Sequence, residues 1–133
     1  MKYLRISLFF LLVAILFSVV KTFAYTTGPV VITKEVSYVT KHTTVYKTKT
    51  SYCDQLIKVE DSLNKGDTYS AQPIDEDGYK YQTSTHMRVS NSAYKLDDQV
   101  SHPNNFKLVL WRDNPKIGLK RMAYFVWAPN CVF

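Results

Sequence analysis

The 133-residue chain has four glycines, five prolines, two cysteines and three histidines. Each scarcity excludes something. Glycine and proline this sparse are incompatible with a collagen-like or low-complexity chain. Neither Cys53 nor Cys131 has another cysteine or a histidine within five residues, so no zinc finger or ribbon is encoded. Intact enzyme signatures are missing too: there is no G-x-S-x-G, no H-E-x-x-H and no phosphate-binding P-loop. We find no N-x-[ST] sequon, heptad run or internal repeat. Neither a metal nor a small-molecule cofactor is expected.

Only one long apolar run is present, residues 6–20, broken by Ser7 and Ser18 alone. It follows Lys2 and Arg5 and ends at Lys21-Thr22-Phe23-Ala24. Fifteen residues are too few to cross ~30 Å of hydrocarbon as a helix, and Thr22 and Ala24 suit a cleavage site, so residues 1–24 are predicted to be a secretory signal peptide. An uncleaved anchor is the alternative. Removing Lys2, Arg5 and Lys21 takes the formal charge from +6 to +3. The mature chain is then expected to be extracellular, to have no membrane association and to be a monomer. In an oxidising compartment two cysteines read as a disulfide between Cys53 and Cys131.

Residues 25–52 hold eight threonines, four lysines and one acid, Glu35. Val30, Ile32, Val36, Tyr38 and Tyr46 share the even positions, which predicts an extended arm able to add an edge strand. A flexible basic linker is the other reading. After Cys53, Leu56, Val59, Glu60 and Leu63 recur at helical spacing, with Asp54 as N-cap and Gly66 as C′ residue, so a helix over 55–65 is predicted. Residues 79–89 read as a strand with Tyr79, Tyr81, Met87 and Val89 on one face and His86 and Arg88 on the other. The apolar runs 106–111 and 119–127 read as a hairpin joined by 112–118. One short helix packed on a twisted antiparallel sheet makes the expected fold class α+β, with residues 53–133 as the domain.

Lys107, Arg112, Lys116, Lys120 and Arg121 form the densest positive region, interleaved with Trp111, Tyr124 and Trp127. Lysine and arginine neutralise phosphates and aromatic rings stack on bases, so these are candidate RNA- or partner-binding residues. Lysines that blunt a sheet edge and tryptophans of a core are the plainer reading. His86 and Arg88, two apart on one strand, could address a single phosphate, or simply form a solvated face. His42 and His102 have no evident partner. The triplet Asp75-Glu76-Asp77 lacks the alternating ligand positions of a calcium loop and reads as a solvated turn.

Ser51-Tyr52-Cys53, Gly78-Tyr79-Lys80-Tyr81, the strand Lys107-Leu108-Val109-Leu110-Trp111, the stretch Asp113-Asn114-Pro115-Lys116-Ile117-Gly118-Leu119 and the ending Cys131-Val132-Phe133 stand in an informative order. Over residues 52–133 that order resembles the small secreted fungal ribonucleases, and more closely the ribonuclease-like effectors of powdery mildews. The resemblance implies a ribonuclease-like domain. It also implies lost catalysis: Arg121 or Met122 stands near the expected histidine of the return strand, Tyr81 near the other, and Lys107 at the arginine-like place. The implied function is that of a non-catalytic, effector-like virulence protein that engages a host protein or RNA after secretion, with the inside of a host cell as one destination. A divergent ribonuclease using His86, Arg88 and Glu60 or Glu76 is the alternative. A cell-wall or surface protein with an O-glycosylated threonine-rich arm is the third class.

Overall fold

Alternation decides the two longest strands. Along Asn104–Arg112, Phe106, Leu108 and Leu110 are buried while Lys107, Val109 and Trp111 stay half-buried on the other face. Along Arg121–Ala128, Ala123, Phe125 and Trp127 are buried. The computed structural model describes residues 25–96, 102–114 and 120–133; the expected signal peptide and Lys116 lie outside them. The described residues form nine strands: β1 (Val30–Val36), β2 (His42–Thr43), β3 (Lys47–Lys49), β4 (Leu56–Ser62), β5 (Tyr69–Asp75), β6 (Ser84–Met87), β7 (Tyr94–Lys95), β8 (Asn104–Arg112) and β9 (Arg121–Ala128).

They make two antiparallel sheets. The first runs β1-β9-β4-β7; in the second, β8 pairs with β2 and β3 along one side and with β5 on the other, and β6 closes the order. The inner faces pack on each other, with Tyr69 of β5 edge-on to Phe125 of β9 at 5.3 Å. Both rings and Trp127 are fully buried, each contributing roughly 1.5–3 kcal/mol of apolar burial.

The α+β expectation is therefore corrected: among the described residues there is no helix, and residues 55–65 supply β4 and the turn after it. The helical spacing has a structural cause. Val59 lies opposite Phe125 but Asp61 lies opposite Tyr124, so Glu60 is the extra residue of a β-bulge. Buried positions then step by two from Ile57 to Val59 and by three from Val59 to Ser62, and a step of three mimics a helix. A lone helix of this length is marginal, whereas strand pairing buries both β-branched residues against β9. The intended caps serve elsewhere. Asp54 lies 3.7 Å from the Lys95 ammonium, and the Gly66 amide donates to the Asn64 side chain in the turn to β5.

A second correction concerns the hairpin. Both runs are strands, but β8 belongs to the second sheet and β9 to the first, so they do not pair with each other. The 79–89 strand contracts to β6, with Tyr81 and Met87 buried and only bridges at Lys80 and Val89. The N-terminal region does add an edge strand, as expected: β1 pairs with β9 from Val30–Trp127 to Val36–Arg121, and it brings Ile32 and Val36 into the core.

The expected disulfide forms between Cys53 and Cys131, whose Cα atoms are 6.3 Å apart. Lys49, fully buried, donates to the carbonyls of Cys53 and Pro129 and places its amine 3.6 Å from Cys53 Sγ. Burial lowers its pKa, against the opposing pull of Asp54. Asn130 completes the clasp, accepting from the Thr50 and Ser51 amides and donating to the Thr27 and Thr48 carbonyls.

Candidate functional site

The outward positions of β8 carry Lys107, Val109 and Trp111. Because His42 pairs with Leu110 and Lys47 with Phe106, the preceding residues Lys41 and Tyr46 fall beside Trp111 and Lys107 on the same outer face. The contacts follow: Lys41 Nζ lies 4.3 Å from the Trp111 ring centre and Lys107 Nζ lies 5.1 Å from that of Tyr46. Tyr25 adds a ring 5.5 Å from Tyr46. Thr43 and Val109 lie opposite each other between the two aromatic ends. On the β5 side Ser70, Gln72 and Ile74 lie opposite Trp111, Val109 and Lys107, and Lys80 bridges to Ile74. None of these positions is acidic. Two strand repeats separate 107 from 111, a span of about 13 Å.

The expected site residues divide. Lys107 and Trp111 belong to this face, but Arg112 points inward and is buried, with Nη2 2.7 Å from Asp67 Oδ1. Beside that pair Tyr69 donates to or accepts from Ser62 at 2.6 Å, and burial raises its phenol pKa. Arg121, half-buried at the start of β9, lies opposite Val36. Lys120 is exposed just before it. Trp127 is core, donating to Gln55 Oε1 at 2.8 Å, whereas Tyr124 faces outward on the first sheet. Lys41, Tyr46 and Tyr25 were missed. Each falls in the threonine-rich stretch, and the only signal was Tyr46 among the period-2 positions.

His86 ends up in the left-handed region at φ 56°, its amide 3.1 Å and its Nδ1 3.7 Å from Asp113 Oδ2. Ser70 donates to the other oxygen of Asp113. The order is serine, carboxylate, histidine, so the histidine is not placed to take the serine proton, as nucleophilic catalysis would require. Arg88 is exposed, and its amide donates to the Tyr94 hydroxyl. Glu60 pairs with Lys58 at 3.7 Å on the first sheet. Glu76 lies six residues along the chain from Ser70, about 20 Å of strand. The residues offered for a ribonuclease are therefore spread over separate regions.

The acidic triplet has a specific task at Asp75. One of its oxygens accepts the amides of Asp77 and Tyr79 at 3.0 Å and the other accepts the Tyr81 hydroxyl at 2.9 Å. Since that hydroxyl has one proton, the 3.1 Å contact of His102 with it requires Nε2–H as donor. Among the described residues no group of three or more His, Cys, Asp or Glu is disposed to hold a metal. Burial, then the Asp75 hydrogen bond, pushes the Tyr81 phenol up to about 12. Because the folded pKa exceeds the unfolded one, stability is full below pH 10 and declines as the pH rises from 10 to about 12. In Tyr81→Phe a urea titration at pH 9 and pH 11.5 is expected to show a smaller alkaline loss, by about 2 kcal/mol.

No family model, no curated protein and no solved structure matches the chain.

Proposed function

We propose that this chain is a secreted, non-catalytic binding module that takes a polyanionic partner on the outer face of its second sheet, host RNA in preference to an acidic host protein. One observation carries the reading: two lysine–aromatic pairs, Lys41 with Trp111 and Lys107 with Tyr46, stand in one row whose neighbouring strand positions carry no acid, the nearby Asp113 being held by Ser70 and the His86 amide. Lysines alone would hold any polyanion, but half-buried aromatic rings beside them, with the exposed ring of Tyr25 next to Tyr46, favour a ligand with bases to stack. The scattered placement of His86, Arg88, Glu60 and Glu76 supports the non-catalytic part. The effector-like role and the host destination rest on the resemblance. A ribonuclease scaffold is not part of the proposal, because the fold is all-β.

Fluorescence anisotropy with single-stranded RNA at low salt tests it. In the double variant Lys41→Glu/Lys107→Glu affinity is expected to fall at least about tenfold, with a shallower salt dependence. Unchanged affinity would remove this face from the proposal. RNA cleavage by the wild-type chain that disappears in His86→Ala would overturn the non-catalytic part.

A further inference from the structure

The bulge at Glu60 does more than imitate a helix. By inserting one residue into β4 it turns Asp61 to lie opposite Tyr124 of β9, on the outer face of the first sheet. Without the bulge Glu60 would occupy that place, yet Glu60 is engaged with Lys58 at 3.7 Å, and Lys58 also lies 5.4 Å from the Phe133 ring centre. Asp61 is exposed and makes no ion pair among the described residues; one oxygen accepts the neighbouring Ser62 amide at 2.8 Å. A depression opens beside it, lined by Asp61, Ser62, Leu63, Met122 and Tyr124. Leu63 is 74% exposed and Tyr124 42%, so the apolar wall and the ring are both presented to solvent.

We infer that this depression is a receptor for one cationic side chain, an arginine or lysine of a partner polypeptide. The three chemistries required lie within one depression. Leu63 and Met122 offer apolar surface to the aliphatic stem of such a side chain, the Asp61 carboxylate offers a charge-assisted acceptor to its head, and the Tyr124 ring offers a face for a cation. Charge complementarity sets the sign of the occupant: on this face Glu35 and Asp61 carry no paired cation among the described residues, and Lys58 is neutralised by Glu60. Bulges recur where a strand must re-aim one side chain, and here the re-aimed side chain is the acid of the depression. The site is independent of the lysine–aromatic row, which lies on the opposite sheet, so the molecule has a face for a polyanion and a separate socket for a basic protein.

At an exposed site the ion pair and the cation–ring contact are each worth a factor of about two to five. Uniformly 15N-labelled chain is titrated with N-acetyl-arginine amide, with N-acetyl-norleucine amide as the neutral analogue, following amide shifts. Saturable shifts confined to residues 61–63 and 122–124 are expected, with the arginine derivative binding about tenfold more tightly than the norleucine derivative. Asp61→Asn is expected to remove about threefold to fivefold of that preference, and Tyr124→Leu to weaken the arginine derivative while leaving the norleucine derivative nearly unchanged. Both positions are exposed, and an otherwise superimposable spectrum shows that each variant is folded. Shifts that are absent, scattered, or equal for the two derivatives would overturn the inference. So would a wild-type dimer that dissociates in Asp61→Asn, because the occupant would then be a second copy of this chain. Loss of RNA binding in Lys41→Glu/Lys107→Glu with an intact arginine response, or the reverse, separates the two faces.

Discussion

Arg112→Ala is expected to lower unfolding stability by about 3–5 kcal/mol while leaving any binding at the outer face of the second sheet unchanged. The guanidinium is buried at the end of β8 and makes a 2.7 Å contact with Asp67, itself 7% exposed at its side chain. Taking away the cation strands a carboxylate out of water, and that desolvation is the source of the loss. The pair is not thereby a large net stabiliser. Arg112 Nε and Nη1 and Asp67 Oδ2 are buried without hydrogen-bond partners, so the pair leaves part of its polar capacity unmet. The double replacement Asp67→Leu/Arg112→Met is accordingly expected to recover most of the stability lost by Arg112→Ala. Urea midpoints for the singles and the double close the cycle; a double no more stable than the single would contradict this account. Lys107→Glu is expected to show the opposite pattern, with little change in stability and, on the proposed function, a loss of RNA affinity.

Replacing both cysteines in Cys53→Ala/Cys131→Ala is expected to cost up to about 4–5 kcal/mol, read as a lower urea midpoint with an unchanged native spectrum. The cross-link joins residues 78 apart, so its release restores much chain entropy to the unfolded state. In the folded state little need move, because β4 and β9 already pair up to Leu56 and Ala128, three residues from each cysteine. Lys49 and Asn130 hold the same junction by hydrogen bonds. Faster hydrogen exchange is expected near residues 47–53 and 129–133 only. A loss below about 1 kcal/mol would mean that the unfolded chain is already compact around this pair.

What could be read from the sequence follows a physical line. Alternation reports which face of a strand is buried, and it gave β8 and β9 correctly. It does not report which strand lies alongside, so two neighbouring apolar runs read as a hairpin although each sits in a different sheet. Residues 55–65 misled for a related reason: one bulged residue changes a spacing of two into three, and a short apolar pattern cannot distinguish that from a helical turn. Lys49 and Thr48 looked too polar for an interior, yet carbonyls of the C-terminal turn and Asn105 receive them. The candidate site was half legible. Lys107 and Trp111 stand out on a strongly alternating strand, whereas Lys41 and Tyr46 reach them through pairings of two and three residues with a strand 55 to 68 positions away.

Strand order also bears on how the chain is made. β9, at the far end of the sequence, is the shared neighbour of β1 and β4, and neither of those pairs with the other. β9 must therefore be made before the first sheet can close, and the separation of β1 from β9 makes closure slow by topology. Until then the nascent polypeptide carries open strand edges and no completed core. That is a hazard for aggregation. It is also the unfolded condition in which a polypeptide can be threaded through a translocation pore.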